Sequence, residues 1–209
     1  MSGSPYTHGA SEPEQQRLTA LNTRLNNRCI EVGRFEVGER IIDFGAGLGQ
    51  FSRAMARITG VPVVGLERSQ EQIAEALRQA EADGETSLLQ MRQGDIVSPP
   101  LSENESGQFD VAHARFVLEH MPDPLLVVRN MARTVRVGGR VVLADGDYET
   151  LRLWPEPAGF AQLWQAYQRT YDRHGNVVLQ LTGVFLTLCD GGVCGGRNAR
   201  RHTGRGEFP

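Results

Sequence analysis

IIDFGAGLGQ, residues Ile41 to Gln50, runs a strand-like apolar stretch with one acid straight into a glycine-rich turn. Phe51 to Ile58, which follow, have amphipathic helical spacing. Together they read as the first βα unit of an open nucleotide-binding sheet, where small residues let the backbone approach a ligand. A second apolar run, VPVVGLE, ends at Glu67. It lies about twenty residues beyond the glycines, placed to accept hydrogen bonds from the two hydroxyls of a ribose.

Outward from this unit, strands and helices alternate. Ser11 and Pro13 open a helix with Leu18, Leu21, Leu25 and Cys29 on one face, ended by Gly33 and Gly38. Ser69 is an N-cap with Gln72 three residues on, a capping-box pattern. Ser87 to Met91 read as a short third strand, followed by Gly94-Asp95, and FDVAHA as a fourth. A helical stretch from Phe116 to Thr134 is interrupted by MPDP, and RVGGRVVLAD reads as a turn and a fifth strand. A further helix spans Glu156 to Tyr171. Such alternation predicts a parallel sheet wound by right-handed crossovers.

Composition removes several chemistries. All 22 basic residues are arginine. Without lysine there is no P-loop phosphate clamp and no Schiff-base nucleophile. The three cysteines, Cys29, Cys189 and Cys194, form no CxxC pair and have no His or Cys at metal-ligand spacing, so no metal is expected. A net charge of −3 shows no bias towards nucleic acid. No apolar run approaches a membrane span and no signal peptide is legible, which predicts a cytoplasmic protein.

The glycines read GxGxG at Gly45, Gly47 and Gly49, and Gln50 stands where a dinucleotide fingerprint needs glycine. With IIDFGAGLGQ, VVGLERSQEQIAEA, RQGDI, FDVAHARFVLEHMPDP and VRVGGRVVLAD in that order, the chain resembles the class I S-adenosylmethionine-dependent methyltransferases. The similarity is to the small-molecule group around the ubiquinone/menaquinone methyltransferases and runs from about Tyr6 to Asn176. It implies a Rossmann-like doubly wound parallel sheet and methyl transfer from S-adenosylmethionine to O, N or C of a small molecule.

By the resemblance, Gly45, Ala46 and Gly47 would admit the methionine part, Glu67 would hold the ribose and Arg68 would flank the adenine. In the Gly94-Asp95-Ile96 segment, Asp95 would accept from the adenine amino group and the Ile96 N–H would donate to the ring. Asp43 either orients the glycine turn or the cofactor amino group through water, or satisfies local backbone donors. Ala114 and Arg115 would lie where methionine and acceptor meet. Arg115 pairs with a carboxylate or anionic substrate, or bonds nearby helix ends. His113 points into the site or into the sheet; His120 lies at the mouth or caps a turn. With Asp145, these are the available general bases, none of them singled out. Tyr6 and Arg17 would belong to an N-terminal lid (1–33) ahead of the core (34–176), or to a frayed end and an ordinary helix. Trp154, Trp164, Tyr167 and Tyr171 line an acceptor pocket or pack as core.

The resemblance stops at Asn176. Residues 177–209 are biased to Gly, Arg and Cys, as a frameshifted or prematurely ended product of a GC-rich gene would be. This predicts a disordered or poorly packed tail and a sheet incomplete at its C-terminal edge. A non-catalytic cofactor-binding remnant is therefore the alternative function. An NAD-dependent oxidoreductase is a weaker one, opposed by Gln50 and the missing lysine.

Overall fold

The computed structural model describes residues 25–145, 153–172, 185–189 and 192–195. The chain divides into two compact units, Met1–Arg34 and Phe35–Pro209. In the first, residues 25–33 are the described part of helix α1, closed by a turn at Arg34 whose N–H reaches the Ile30 carbonyl. Tyr6 and Arg17 lie outside the described residues, as does the expected start of this helix at Ser11.

The second unit is built on a sheet in the order β3-β2-β1-β4-β5-β6-β7. β1 (Ile41–Phe44), β2 (Val63–Glu67), β3 (Leu89–Gln93), β4 (Phe109–Arg115) and β5 (Val135–Ala144) are parallel. The strand order reverses between β1 and β4, which opens a crevice at their C-terminal ends. Helices α2 (Gln50–Thr59) and α3 (Gln70–Ala82) lie side by side, joined by Gln50 donating to Gln79 at 3.0 Å. Arg53 bonds Asp83 and Glu85 at the far end of α3. α4 (Pro124–Thr134) packs on β4 and β5.

Alternation along the strands divides the core. Ile42, Phe44, Val64, Leu66, Ala112, Ala114, Val141 and Leu143 are buried together with Val127 and Met131 of α4. The opposite face carries Ile41, Asp43, Val63, Val111 and His113, covered by Phe51, Met55 and Ala56 of α2. The Asp43–His113 pair is buried in this layer, beside Ser52 of α2.

Boundaries move where turns intervene. The third strand begins at Leu89 rather than Ser87, because Thr86–Leu88 form a 3₁₀ turn in which Leu88 N–H reaches the Glu85 carbonyl. The helical stretch expected from Phe116 resolves into a 3₁₀ turn at Leu118–His120 and α4, which Asp123 caps by accepting from Leu126 N–H at 3.0 Å. In VRVGGRV the pairing jumps from Val135 to Arg140 opposite Phe109 and Val111, so the glycines form a looped-out turn inside β5. Helix α5 (Phe160–Asp172) starts later than Glu156, after Pro157 and Gly159.

The C-terminal edge differs most from expectation. β6 (Phe185–Cys189) pairs antiparallel with β5, and β7 (Gly192–Gly195) antiparallel with β6. A hairpin continues the sheet where the sequence pattern shows no closing strands. The remaining tail lies outside the described residues. None of the described helices is long and apolar enough to cross a membrane.

Met131, fully buried between α4 and the sheet, tests the core. Met131→Ala is expected to cost about 2–5 kcal/mol of unfolding free energy, read by urea denaturation.

Candidate functional site

The glycine turn is held down on β2 by its own backbone. Gly45 and Ala46 N–H groups both donate to the Leu66 carbonyl at 2.9 Å. Gly45 has φ +76, and a Cβ there would meet Val117 at 2.6 Å, so only glycine fits. Gly65 on β2 is required for another reason: a Cβ would sit 2.8 Å from both the Ala46 Cβ and the Met91 sulfur.

Glu67 is the hub of the turn. Its Oε2 accepts from Gly47 N–H at 3.1 Å, its Oε1 from Ser69 N–H at 2.8 Å, and its backbone carbonyl from Gly94 N–H at 3.0 Å. Ser69 caps α3 by accepting from Gln72 N–H at 3.2 Å. The reciprocal bond of a capping box is supplied by Glu67 instead of Gln72, so one residue, through its carboxylate and its backbone carbonyl, ties three consecutive β-strand ends together.

Beside it, Asp95 is exposed and accepts from Val97 N–H at 2.9 Å. The adjoining Ile96 is buried. Asn130, a buried residue of α4, donates to the Ile96 and Val97 carbonyls at 3.1 and 2.7 Å. Sequence reading missed Asn130; a polar residue among the apolar positions of LLVVRNMA was its one signal. Arg68 is exposed, with its carbonyl accepting from Gln93.

Asp43 and His113 sit opposite each other on β1 and β4. Asp43 Oδ1 lies 2.7 Å from His113 Nδ1, and Oδ2 accepts from Ser52 Oγ at 2.5 Å. His113 is 1% exposed and Asp43 3%. Of the readings open for His113, the ring lies against the α2 layer, 4.8 Å from the Phe51 ring centroid. Ala114, on the other face, is buried in the α4 layer. Arg115 stacks its guanidinium 4.6 Å from the Phe51 ring centre and 5.6 Å from that of Phe116. Phe116 has φ +54, an unfavourable backbone for a bulky residue, and its N–H reaches the Ala144 carbonyl at 2.8 Å.

At the end of β5, Asp145 Oδ2 accepts from Leu118 N–H at 3.2 Å, while Oδ1 is buried with no hydrogen-bond partner among the described residues. Burial, reinforced by the nearby charge of Glu119, pushes this carboxyl up to about 7, against the pull of the Leu118, Glu119 and Val117 N–H groups. His120 is exposed, with Nε2 3.5 Å from Glu119 Oε1. The described aromatics of α5, Phe160, Trp164 and Tyr167, stack on one another, and Trp154 is exposed. The side chain of Tyr171 lies outside the described residues.

The chain that carries this crevice is similar in sequence and in fold to proteins of known kind. The chain is 32% identical over 157 residues to 27-O-demethylrifamycin SV methyltransferase of Amycolatopsis mediterranei, covering 75% of this chain and 55% of that protein. It is 38% identical over 104 residues to the ubiquinone biosynthesis O-methyltransferase of Ralstonia nicotianae, covering 50% and 42%. The chain thus spans about half the length of the curated relatives it matches.

Among solved structures, the [4+2]-cyclase SpnF superposes with a TM-score of 0.52 at 28% identity, covering 57% of this chain and 43% of that one. Phosphoethanolamine N-methyltransferase 2 of Haemonchus contortus, solved with phosphomonomethylethanolamine and S-adenosylhomocysteine, gives 0.54 at 23%, covering 69% and 33%, a likeness of fold. The family model described as a methyltransferase domain matches residues 15–181. That span takes in all five parallel strands and every described acid at their C-terminal ends, and the chain belongs to the methyltransferase-domain family.

Proposed function

We propose that this chain binds S-adenosylmethionine at the ends of β1 to β4 and transfers its methyl group to O, N or C of a small molecule. The carrying observation is Glu67, which joins the glycine turn, the α3 N-terminus and the Gly94-Asp95 segment. Each Glu67 oxygen takes one N–H and keeps a lone pair for a ribose hydroxyl. Asp95 is exposed for an adenine amino group, and Asn130 orients the Ile96 peptide beside it. Gly45, Ala46 and Gly47 admit the methionine part, Arg68 flanks the adenine, and Ala114 and Arg115 form the methionine side. Tyr6 and Arg17 belong to this reading as lid residues. The expected acceptor is a small molecule rather than nucleic acid, in the cytoplasm; the relatives named for rifamycin and ubiquinone chemistry support that class.

The sulfonium supplies an activated methyl group, so the protein's main task is in-line alignment. Where the acceptor must lose a proton, Asp145 suits the role better than His113 or His120. His113 is buried on Asp43, and His120 is exposed beside Glu119. Asp145 combines a bare buried oxygen with a carboxyl near 7, which is suited to proton transfer near neutral pH. A second reading, cofactor binding without methyl transfer, draws on the 28% identity to a cyclase.

Calorimetry with S-adenosylmethionine and S-adenosylhomocysteine, beside a labelled-methyl assay on small-molecule extracts, tests both readings. Binding with turnover is expected; binding without it favours the second, and NADH binding with no adenosylmethionine affinity sinks both. Glu67→Ala is expected to weaken cofactor binding at least about tenfold, since it removes a charged acceptor worth ~1.5–3 kcal/mol.

Asp145→Asn supplies a pH test. A carboxyl raised in the folded protein stabilises it fully below the unfolded value of 3.8, and that contribution is lost as pH rises to about 7. Asp145→Asn should therefore lack this fall, matching or exceeding the parent's melting temperature at about pH 8. Its turnover of proton-losing acceptors should drop by about 10²-fold or more. Parallel melting curves for parent and variant across this range, or unchanged turnover, would remove Asp145 from the role.

A further inference from the structure

We propose that His113 is a positioning residue, fixing the glycine turn and Arg115 through Asp43 and Phe51 without touching the substrate or cofactor. This rests on the adenosylmethionine reading of the site. A carboxylate only accepts, so His113 Nδ1 is the donor in its 2.7 Å bond to Asp43. Asp43 stands two residues before Gly45, and its other oxygen takes the hydroxyl of Ser52, in the first turn of α2. The N-cap of that helix is Gly49, which gives it no side-chain cap. The Asp43–Ser52 bond therefore clamps the turn from below, between the strand that enters it and the helix that leaves it.

The same imidazole works sideways. Phe51 lies with its ring centroid 4.8 Å from that of His113 and 4.6 Å from the Arg115 guanidinium carbon. His113 and Arg115 project from the same face of β4, two residues apart, with Phe51 in contact with both. Displacing the imidazole would release Asp43 from one donor and Phe51 from one wall. The turn and the arginine would then each lose one of their supports. His113 Nε2 is buried with no partner among the described residues, so the ring's polar contribution comes through Nδ1.

Asparagine offers an N–H near the position of Nδ1, whereas leucine keeps bulk without a donor. The experiment measures S-adenosylhomocysteine and S-adenosylmethionine affinity by calorimetry for the parent, His113→Asn and His113→Leu, each at a temperature where melting curves show it folded. His113→Leu is expected to bind about tenfold more weakly, and His113→Asn within about threefold of the parent. A folded His113→Leu with parental affinity overturns the proposal. So does an equal loss in both variants, because the bond to Asp43 would then contribute nothing and the clamp on the turn would fall; the loss of up to about threefold in His113→Asn is the share of the Phe51 wall.

If His113→Leu does not fold, Ser52→Ala carries the test. It removes the other donor to Asp43 and is expected to weaken binding about three- to fivefold; parental affinity overturns the clamp. A parent that binds neither compound overturns the cofactor reading and this inference with it. Variants that match a binding parent overturn this inference alone.

Discussion

Asp43 is a carboxylate placed in the apolar layer between β1 and α2, and burial of such a group is tolerated only if donors are built in to meet it. The fold supplies them from two directions, Ser52 from the helix after the turn and His113 from the neighbouring strand. Meeting that one requirement links β1 to β4 and to the first turn of α2, beside Phe51. The crevice at the strand-order reversal is therefore underlain by this polar contact. Its upper wall is set separately, by Glu67 bridging Gly47 and Ser69.

What could be read in the chain follows from range. Glycine spacing, the Ser69 cap and the apolar runs of IIDF and VVGLE are local signals, and the structure places those elements to within a residue or two. Glu67 was legible because its place at the end of β2 is set by that strand's length. Asn130 was not, because its partners Ile96 and Val97 lie on another segment and only folding brings them together. His113 left two directions open since alternation alone does not say which face is covered by α2. Neighbouring Ala112 and Ala114 are silent on the point, being small enough for either.

The hairpin at the C-terminal edge was missed for a different reason. VVLQLTGVFLTL gave an apolar run, but the following DGGVCGG has glycines where strand patterns seek branched side chains. An edge strand needs backbone pairing more than side-chain packing, and glycine does not forbid the ladder. That ladder joins β6 to β5 and β7 to β6, with registers Val141–Leu186 and Thr187–Cys194. Composition is a poor guide where the backbone does most of the bonding.

The costs in this unit are unevenly spread. At the N-terminal ends of the strands, charges are met by partners: Arg140 with Glu39, and Arg136 with Asp110. At the C-terminal ends lie a bulky residue at positive φ, Phe116, and a buried Asp145 oxygen with no hydrogen-bond partner among the described residues; the same holds for His113 Nε2 beneath the turn and for Arg53 Nε in α2. Strain and unmet polar groups survive where surrounding structure holds them, and they gather where ligands are handled. Phe116 and Asp145 are linked through the same short segment: Phe116 N–H bonds Ala144 and Leu118 N–H bonds Asp145. The left-handed backbone at Phe116 turns the chain so that the next amides face the end of β5. The strain is thus the geometric condition for an acid held by amides and still carrying a bare oxygen.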